Sequence, residues 1–348
     1  MIYRMSYVLV TGGLGFIGSH TVVDLLEKNY EVIIVDNLSN SLVDVLDKIK
    51  EISGKSPLFF NIDITCMDKM EQVFASYHIE SIIHFAAHKA VGESIVKPLM
   101  YYQNNIVSTL NLLLLCEKYR VDHLIFSSSA TVYGNGESPL TETAPVGAQL
   151  TSPYGKTKYF IEEILADFHK SSASTKIVIL RYFNPVGAHS SGLIGENPNG
   201  IPNNLMPYIL KVAMKNNIDP SMDDVYSKLK VFGNTYETKD GTGERDFIHV
   251  LDLAEAHSKS LEYIKSSGDI GFDIFNVGTG KSTSVLELVR TFCETNKVVV
   301  PYKILNRRDG DIASVYCDTA KLENVLRWKA KYDIVDMCKD AYRFVLPK

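Results

Sequence analysis

Short runs rich in valine, isoleucine and leucine alternate with longer amphipathic segments along the first half of the chain. Continuous apolar runs of this kind are typical of strands that are buried on both faces of a parallel sheet. The predicted strands are residues 7–11, 31–36, 58–62, 81–86, 123–128 and 176–183, and the predicted helices are residues 16–28, 44–51, 69–77, 98–119 and 153–171. This alternation predicts an α/β fold, a Rossmann-type doubly wound parallel sheet with helices on both faces.

The pattern changes after residue 183. Residues 184–204 are rich in glycine, proline and asparagine and predict a long ordered loop, a type of segment that often carries function. Further helices are predicted at residues 205–216, 250–264 and 284–294, and further strands at residues 230–232 and 272–277. We therefore predict a nucleotide-binding domain at residues 1–183 and a smaller mixed α/β domain at residues 184–348, some of whose elements pack back on the first sheet.

Composition narrows the classes of protein that fit. The 348 residues are 45% apolar and 22% charged, with a net charge of −5 and a pI near 6.0, which argues against a general binder of nucleic acid or anionic membranes. Neither an apolar span of about 18 residues nor a signal peptide is recognisable. The five cysteines are scattered along the chain, at Cys66, Cys116, Cys293, Cys317 and Cys338. Their spacing predicts neither a metal site nor a disulfide framework, so a reducing, cytoplasmic location is expected.

A glycine-rich turn follows the first predicted strand. The sequence GGLGFIG at residues 12–18 places Gly12, Gly15 and Gly18 where a helix begins. Glycines at this point allow a tight turn and the close approach of a pyrophosphate to the N-terminus of the helix. Alone the motif is weak, because an ordinary tight turn between strand and helix can look the same.

An acidic residue supports the interpretation of the glycine turn as a dinucleotide-binding motif. Asp36 ends the second predicted strand, where a carboxylate can accept hydrogen bonds from the adenosine ribose. A carboxylate there also repels a 2′-phosphate, so NAD is favoured over NADP. The alternative, that Asp36 only caps a turn, stays open.

Candidate catalytic residues lie in YGKTK at residues 154–158. Because positions i and i+4 share a helix face, Lys158 can lie beside Tyr154, whereas Lys156 points away. Lowering the phenol pKa from about 10 to about 7 needs roughly 4 kcal/mol, which one charge at about 4 Å supplies at an effective dielectric of 20. We therefore expect Tyr154 to act as a general base near neutral pH. A second pair at this spacing, Tyr226 and Lys230, lies in a polar stretch and is interpreted as solvated surface.

Ser129 completes the candidate site. It lies in FSSSATVYG at residues 126–134, directly after the fifth predicted strand, where ligands bind in open parallel sheets. A serine hydroxyl there can hydrogen-bond a substrate hydroxyl, so serine, tyrosine and lysine together are typical of a hydride-transfer site.

Several long motifs resemble one enzyme family nearly from end to end. They include GGLGFIGSH (12–20), HFAAHKAVGES (84–94), SPYGKTK (152–158), RYFNPVGAH (181–189), GIPNNLMPYI (200–209), DGTGERDFIHV (240–250) and RRDGD (307–311). The chain resembles the extended short-chain dehydrogenase/reductases, and among them the UDP-glucose 4-epimerases. The resemblance implies reversible interconversion of UDP-glucose and UDP-galactose. In that mechanism a tightly bound NAD+ takes the C4 hydride while Tyr154 takes the 4-hydroxyl proton. The 4-keto sugar then turns over, and the hydride returns to its other face.

The resemblance also implies the binding residues. Expected at NAD are Gly12, Gly15, Phe16, Ile17, Gly18, Asp36, Asn37, Leu38, Ser39, Asn40, Ser41, Asp63, Ile64, Phe85, Ala86, Ala87, Lys89, Asn104, Ser129, Tyr154, Lys158 and Phe183. Expected at the UDP-sugar are Ser129, Tyr154, Asn184, Asn204, Leu205, Lys230, Val231, Phe232, Arg245, Arg308, Asp311 and Val315. A homodimer formed through residues 98–119 and 153–171 is expected too, with no metal, nucleic acid or membrane partner.

Three departures from the family pattern affect these expectations. Ala87 and His88 replace an expected Gly-Leu before Lys89, and His88 is given no catalytic role. Residues 217–229 are longer and more polar than usual and predict a surface loop. Val315 borders the sugar 2-substituent by resemblance, and its intermediate size predicts that UDP-GlcNAc is turned over less well than UDP-glucose.

The sequence also bears on three alternative functions. A sugar-nucleotide 4,6-dehydratase needs an Asp-Glu pair after the motif serine, whereas Ala130 and Thr131 stand there. A UDP-glucuronate 4-epimerase stays open, because one more cation in the pocket could suffice. A non-catalytic NAD-binding sensor is disfavoured because serine, tyrosine and lysine are all present.

Overall fold

The computed structural model describes residues 5–171, 174–266, 268, 271–308 and 310–347. The strands are β1 (Ser6–Thr11), β2 (Val32–Asp36), β3 (Leu58–Asn61), β4 (His78–His84), β5 (His123–Ser129), β6 (Lys176–Tyr182), β7 (Asn184–Val186), β8 (Leu229–Phe232), β9 (Glu244–Arg245), β10 (Phe247–His249), β11 (Phe272–Val277), β12 (Thr283–Ser284), β13 (Tyr302–Leu305) and β14 (Ser314–Val315). The helices are α1 (Phe16–Glu27), α2 (Val45–Ser53), α3 (Met67–Ser76), α4 (Val91–Val96), α5 (Pro98–Tyr119), α6 (Pro153–Ser171), α7 (Leu205–Asn217), α8 (Val250–Ser266), α9 (Val285–Asn296), α10 (Ala320–Leu326) and α11 (Ile334–Val345).

Seven strands form one sheet, which confirms the predicted Rossmann-type fold. The strand order is β3-β2-β1-β4-β5-β6-β11, and every paired register is parallel. The chain runs outward from β1 to β3 and then returns to place β4 on the other side of β1. This reversal opens a crevice at the carboxyl ends of β1 and β4, the usual ligand site of such sheets.

Alternation within the strands explains why both faces are apolar. In β1, Val8 and Val10 belong to the core cluster that also contains α1 and α8 residues, while Leu9 belongs to the cluster beneath α3, α5 and α6. The same alternation places Ile33 and Ile34 of β2 in opposite clusters. Since successive side chains point to opposite faces, a continuous apolar run buries both.

The second half of the chain contributes to this sheet and also builds its own core. Strand β11 pairs with β6, and α8 packs on α1, as expected for elements that pack back. A separate core cluster joins residues of α7, β8, α9 and α11. Three small sheets, β10-β7, β12-β9-β14 and β13-β8, connect these elements. The domain boundary at residue 183 stays a prediction.

Two predictions concern the surface around residues 217–229. Residues 217–229 are largely exposed, and between the end of α7 and the start of β8 they contain only a short 3-10 helix at Asp224–Tyr226. The interpretation of Tyr226 as solvated surface is wrong, because the residue is half-buried beside the α7 core and its ring packs edge-on against Tyr208, with ring centroids 6.0 Å apart. Within the described residues no helix is long and apolar enough to cross a membrane.

Candidate active site

A cleft opens at the carboxyl edge of the main sheet, between the glycine turn and the segment that joins β7 to α7. Most residues expected at the cofactor line it: Gly12, Gly15, Phe16, Ile17, Gly18, Asp36, Asn37, Ser39, Asn40, Ser41, Ile64, Phe85, Ala86, Ala87, Lys89, Asn104, Ser129, Tyr154, Lys158 and Phe183. Leu38 and Asp63 are not among its described lining residues. Leu38 packs on the core cluster near α1, and the Asp63 carboxylate accepts hydrogen bonds from Thr65 and Asn37.

Close contacts require the glycines of the turn. Gly12 has a φ of +68°, and a Cβ there would lie 2.9 Å from the amide nitrogen of Ala86. A Cβ at Gly18 would lie 2.2 Å from the carbonyl oxygen of Gly12. Only a chain without side chains at these points can bring the start of α1 this close to the strand ends, and it leaves the helix N-terminus open for a pyrophosphate.

The Asp36 carboxylate both fixes the turn and faces the cleft. One oxygen accepts from the Leu14 amide at 3.1 Å, and the other accepts from the Leu38 amide at 2.9 Å and the Ser41 hydroxyl at 2.8 Å. A carboxylate offers about four acceptor positions, so one remains for a ribose hydroxyl. The turn-capping interpretation and the ribose-binding prediction are therefore compatible.

Ser129, Tyr154 and Lys158 are brought together on one wall of the cleft. Ser129 ends β5, while Tyr154 and Lys158 lie one turn apart on the buried face of α6. Lys156 is exposed, which confirms the prediction that it points away from Tyr154. The Lys158 ammonium donates to the Ser127 carbonyl at 2.6 Å and lies 4.8 Å from the centre of the Phe126 ring.

Burial of Tyr154 opposes the near-neutral phenol that the sequence predicts. Burial raises the pKa of Tyr154 above its ordinary value, and a hydrogen bond with Ser129 opposes that shift. Burial likewise lowers the pKa of Lys158 to about 7, because the ammonium is enclosed in the protein. The prediction from sequence considers only the charge of Lys158 at one distance. It does not include the burial of Tyr154 and Lys158, which disfavours the charged form of each side chain.

Glu196 is a cleft residue that sequence reasoning missed. It lies in the segment between β7 and α7, and its carboxylate accepts from Lys89 at 2.9 Å and from the Asn204 side-chain amide at 3.0 Å. It thereby connects a residue expected at the cofactor with one expected at the sugar. The loop prediction for residues 184–204 was the only signal of its neighbourhood.

The residues expected at the UDP-sugar divide into two groups. Asn184, Asn204 and Leu205 line the cleft together with Ser129 and Tyr154. The others are Lys230, Val231, Phe232, Arg245, Arg308, Asp311 and Val315, on β8, β9, β14 and the segment that follows β13. Two strand pairings, β8 with β13 and β9 with β14, bring together segments of this group that are distant in sequence.

Within the second group the contacts are specific. Arg308 lies 4.8 Å from the centre of the Phe232 ring and donates to both oxygens of Asp311, at 2.8 and 3.2 Å. Arg245 donates to the carbonyls of Glu244 and Ile312. Val231 is different, because the whole residue is only 1% exposed and packs in the α7 core.

Comparisons with known proteins show the family to which the chain belongs. The model of the NAD dependent epimerase/dehydratase family matches residues 8–278, and the chain belongs to that family. It is 50% identical to the UDP-glucose 4-epimerase of Bacillus subtilis (strain 168) over 97% of this chain and 96% of that one, and 46% identical to the Caenorhabditis elegans UDP-glucose 4-epimerase over 97% of each. The structure of the Bifidobacterium longum UDP-glucose 4-epimerase in complex with NAD+ and UDP superposes with a TM-score of 0.90, at 46% identity over 97% of each chain.

Proposed function

We propose that this chain interconverts UDP-glucose and UDP-galactose by oxidation and re-reduction at C4 of the sugar, with NAD kept bound. The observation that carries the proposal is the placement of Ser129, Tyr154 and Lys158 on one wall of a cleft that begins at a glycine turn. Family membership and the named relatives support it.

The described residues fit a dinucleotide. The glycine turn leaves the N-terminus of α1 open to a pyrophosphate, and Asp36 keeps an acceptor for the adenosine ribose. The acid at this place favours NAD over NADP. When bound, NAD+ accepts the hydride from C4 and gives it back.

Tyr154 holds the proton that leaves the sugar 4-hydroxyl and returns it after the hydride comes back. Ser129 is hydrogen-bonded to the Tyr154 phenol and can hold the same sugar hydroxyl. Lys158 lies on the same helix face and, as a cation, favours the phenolate. In a buried cleft each of these charge interactions is stronger than in water.

The UDP part is assigned to the second group of residues. A planar guanidinium matches two phosphate oxygens, so Arg245 and Arg308 suit a pyrophosphate. Asp311 suits the uridine ribose hydroxyls, and Phe232 offers an apolar surface beside Arg308. Asn184, Asn204 and Leu205 then border the sugar in the cleft.

The test is to incubate purified protein with UDP-galactose, without added NAD, and to detect UDP-glucose. Conversion with cofactor carried through purification is the expected result, because the hydride never leaves the site for good. UDP-glucuronate is assayed in parallel, as the substrate of the alternative epimerase. Conversion of UDP-glucuronate but not UDP-galactose would replace the proposal by that alternative, and conversion of neither would end it.

Val315 leads to a substrate prediction. It is half-buried on β14 and packs on the cluster that contains Phe183, a cleft residue. We expect UDP-GlcNAc to be turned over, with a lower kcat/KM than UDP-glucose, because valine leaves intermediate room beside the 2-substituent. Side-by-side kinetics of the two sugars measure this, and undetectable turnover of UDP-GlcNAc would contradict it.

The homodimer is proposed from an apolar surface on two neighbouring helices. Leu110 and Leu114 lie one turn apart on α5 and are 41% and 55% exposed, and Phe160 on α6 is 41% exposed. The Phe160 ring is stacked on Tyr102 of α5, with centroids 6.3 Å apart. A contiguous exposed apolar surface of this kind is typical of a subunit interface, here with a second copy of this chain.

Leu114→Glu is expected to convert the dimer to a monomer, because a charge replaces an apolar contact at the proposed interface. Light scattering after size-exclusion chromatography measures the mass. The matched control is Val299→Glu, at a residue 64% exposed outside both helices, which should stay dimeric. A monomeric wild type, or a Leu114→Glu variant that stays dimeric, would reject this interface.

The cytoplasmic location stays a prediction. It rests on the scattered cysteines of the sequence, which suit a reducing compartment.

A further inference from the structure

A third buried residue continues the line of Tyr154 and Lys158 along α6. Glu162 lies four residues after Lys158, so the three side chains follow one another on one helix face. All three are buried, with Glu162 4% exposed. A carboxylate in this position is unusual, since buried acids are rare unless they are paired.

Two elements hold the Glu162 carboxylate in place. Arg181 of β6 donates to both of its oxygens, from Nε at 3.1 Å to each and from a terminal nitrogen at 2.6 Å to Oε2. Ser128 of β5 donates to Oε1 at 2.5 Å. The remaining terminal nitrogen of Arg181 donates to the Tyr133 hydroxyl and the Glu142 carbonyl. The carboxylate therefore has a fixed position behind the catalytic residues.

The groups around Lys158 show what this carboxylate does. From β5 the Ser127 carbonyl and the Phe126 ring face the ammonium, and neither carries a charge. From β4 comes His84, which is kept neutral because burial lowers its pKa to about 3. From β6 the Tyr182 hydroxyl hydrogen-bonds the Ser127 side chain. A final residue, on α6 itself, is Tyr154, which lies one helical turn before Lys158.

Glu162 is the acidic residue whose negative charge raises the pKa of Lys158. Burial lowers the pKa of Lys158 to about 7, and the negative charge of Glu162 opposes that shift. Arg181 is held as a cation in spite of its own burial, because the hydrogen bonds and charge of Glu162 keep its pKa above the usual value.

We propose that Glu162 is a positioning residue that keeps Lys158 protonated beside Tyr154, while Arg181 and Ser128 fix the carboxylate. The proposal rests on the function proposed above, and it adds a residue that does not contact substrate or cofactor. It explains why a buried ion pair lies directly behind the reacting groups, where an apolar pair of similar volume could otherwise fill the space.

The test is the pH profile of kcat for Glu162→Gln, a change that keeps the shape of the side chain and removes its charge. A base that must be deprotonated and a lysine that must be protonated give a bell-shaped profile, whose limbs belong to the coupled pair. Without the carboxylate the Lys158 ammonium is less stable, so the limb that reports Lys158 should move down by about one pH unit. Because the pKa of Lys158 is about 7 and that of Tyr154 is raised, this is the acidic limb, and at higher pH kcat falls about tenfold while KM changes little.

Two further variants separate charge from folding. Glu163→Gln is the matched control, because Glu163 is the exposed neighbour on the same helix, and its profile should equal the wild type. Glu162→Gln leaves the Arg181 charge unpaired and could destabilise the protein. The double variant Glu162→Gln/Arg181→Gln removes both charges, and its acidic limb should also move down.

A direct readout does not depend on turnover. In protein labelled with 13C at lysine Cε, the Lys158 signal, assigned by its loss in Lys158→Met, should titrate at lower pH in Glu162→Gln than in Glu163→Gln. A wild-type acidic limb and wild-type Lys158 titration in the folded variants would overturn the proposal. If wild-type protein converts no UDP-sugar, the proposed function fails, and the lysine titration still decides the role of Glu162.

Discussion

Replacing Tyr154 with phenylalanine is expected to lower kcat for UDP-galactose by about 10²- to 10⁴-fold, the usual contribution of a general acid–base group. The change removes one hydroxyl and keeps the ring, which is 8% exposed and packed in the cleft wall. KM and the amount of bound NAD should therefore change little. A loss confined to kcat is the signature of an interaction made in the transition state.

The matched control for this variant is Tyr226→Phe. Tyr226 has the same four-residue spacing to a lysine, Lys230, and lies outside the described cleft lining. Initial rates of UDP-glucose formation and the NAD released on denaturation are measured for both variants. Wild-type kcat in Tyr154→Phe, or an equal loss in both variants, would show that Tyr154 is not the base.

The geometry of the catalytic helix could be predicted because it is local. Four-residue spacing on a helix depends only on the backbone, so the burial of Lys158 and the exposure of Lys156 could be predicted. The pKa of Tyr154 could not be predicted in the same way. Its direction depends on burial within the folded protein, which outweighs the opposing hydrogen bond with Ser129.

In the fold, too, local sequence patterns could be predicted, whereas contacts between distant segments could not. The strands of the main sheet were predicted because burial on both faces leaves continuous apolar runs, as in Val32–Asp36. Strands β9, β12 and β14 have two residues each, too few for any periodicity. Their existence depends on distant partners, since Glu244 pairs with both Ser284 and Ser314.

Two site residues show what further signal the sequence held. In LKVF at residues 229–232, Leu229 and Val231 are buried and Lys230 is exposed, so period-two alternation would have placed the Val231 side chain in the core. Glu196 carries no such signal. It is one acid in a loop rich in glycine and proline, and its contact with Lys89 is set by tertiary structure.

Gly18→Ala is expected to have the other large effect, on folding and on cofactor retention together. The added Cβ would lie 2.2 Å from the Gly12 carbonyl oxygen and 2.9 Å from the Gly13 Cα, and both are backbone atoms that cannot rotate away. Overpacking of this kind costs about 1–3 kcal/mol when the surroundings can shift. Here the shift must move α1 away from the turn, which displaces the helix N-terminus that faces the pyrophosphate.

Gly92→Ala is the matched control, because Gly92 lies in helix α4 and a Cβ there would meet no atom within 4 Å. Alanine in an open helical position should leave stability unchanged or raise it by about 0.5–1 kcal/mol. Thermal unfolding and NAD content of the purified proteins measure both effects. A Gly18→Ala protein with wild-type melting temperature and full NAD content would show that α1 can move at no cost, and that close packing of the turn is not what shapes the cofactor site.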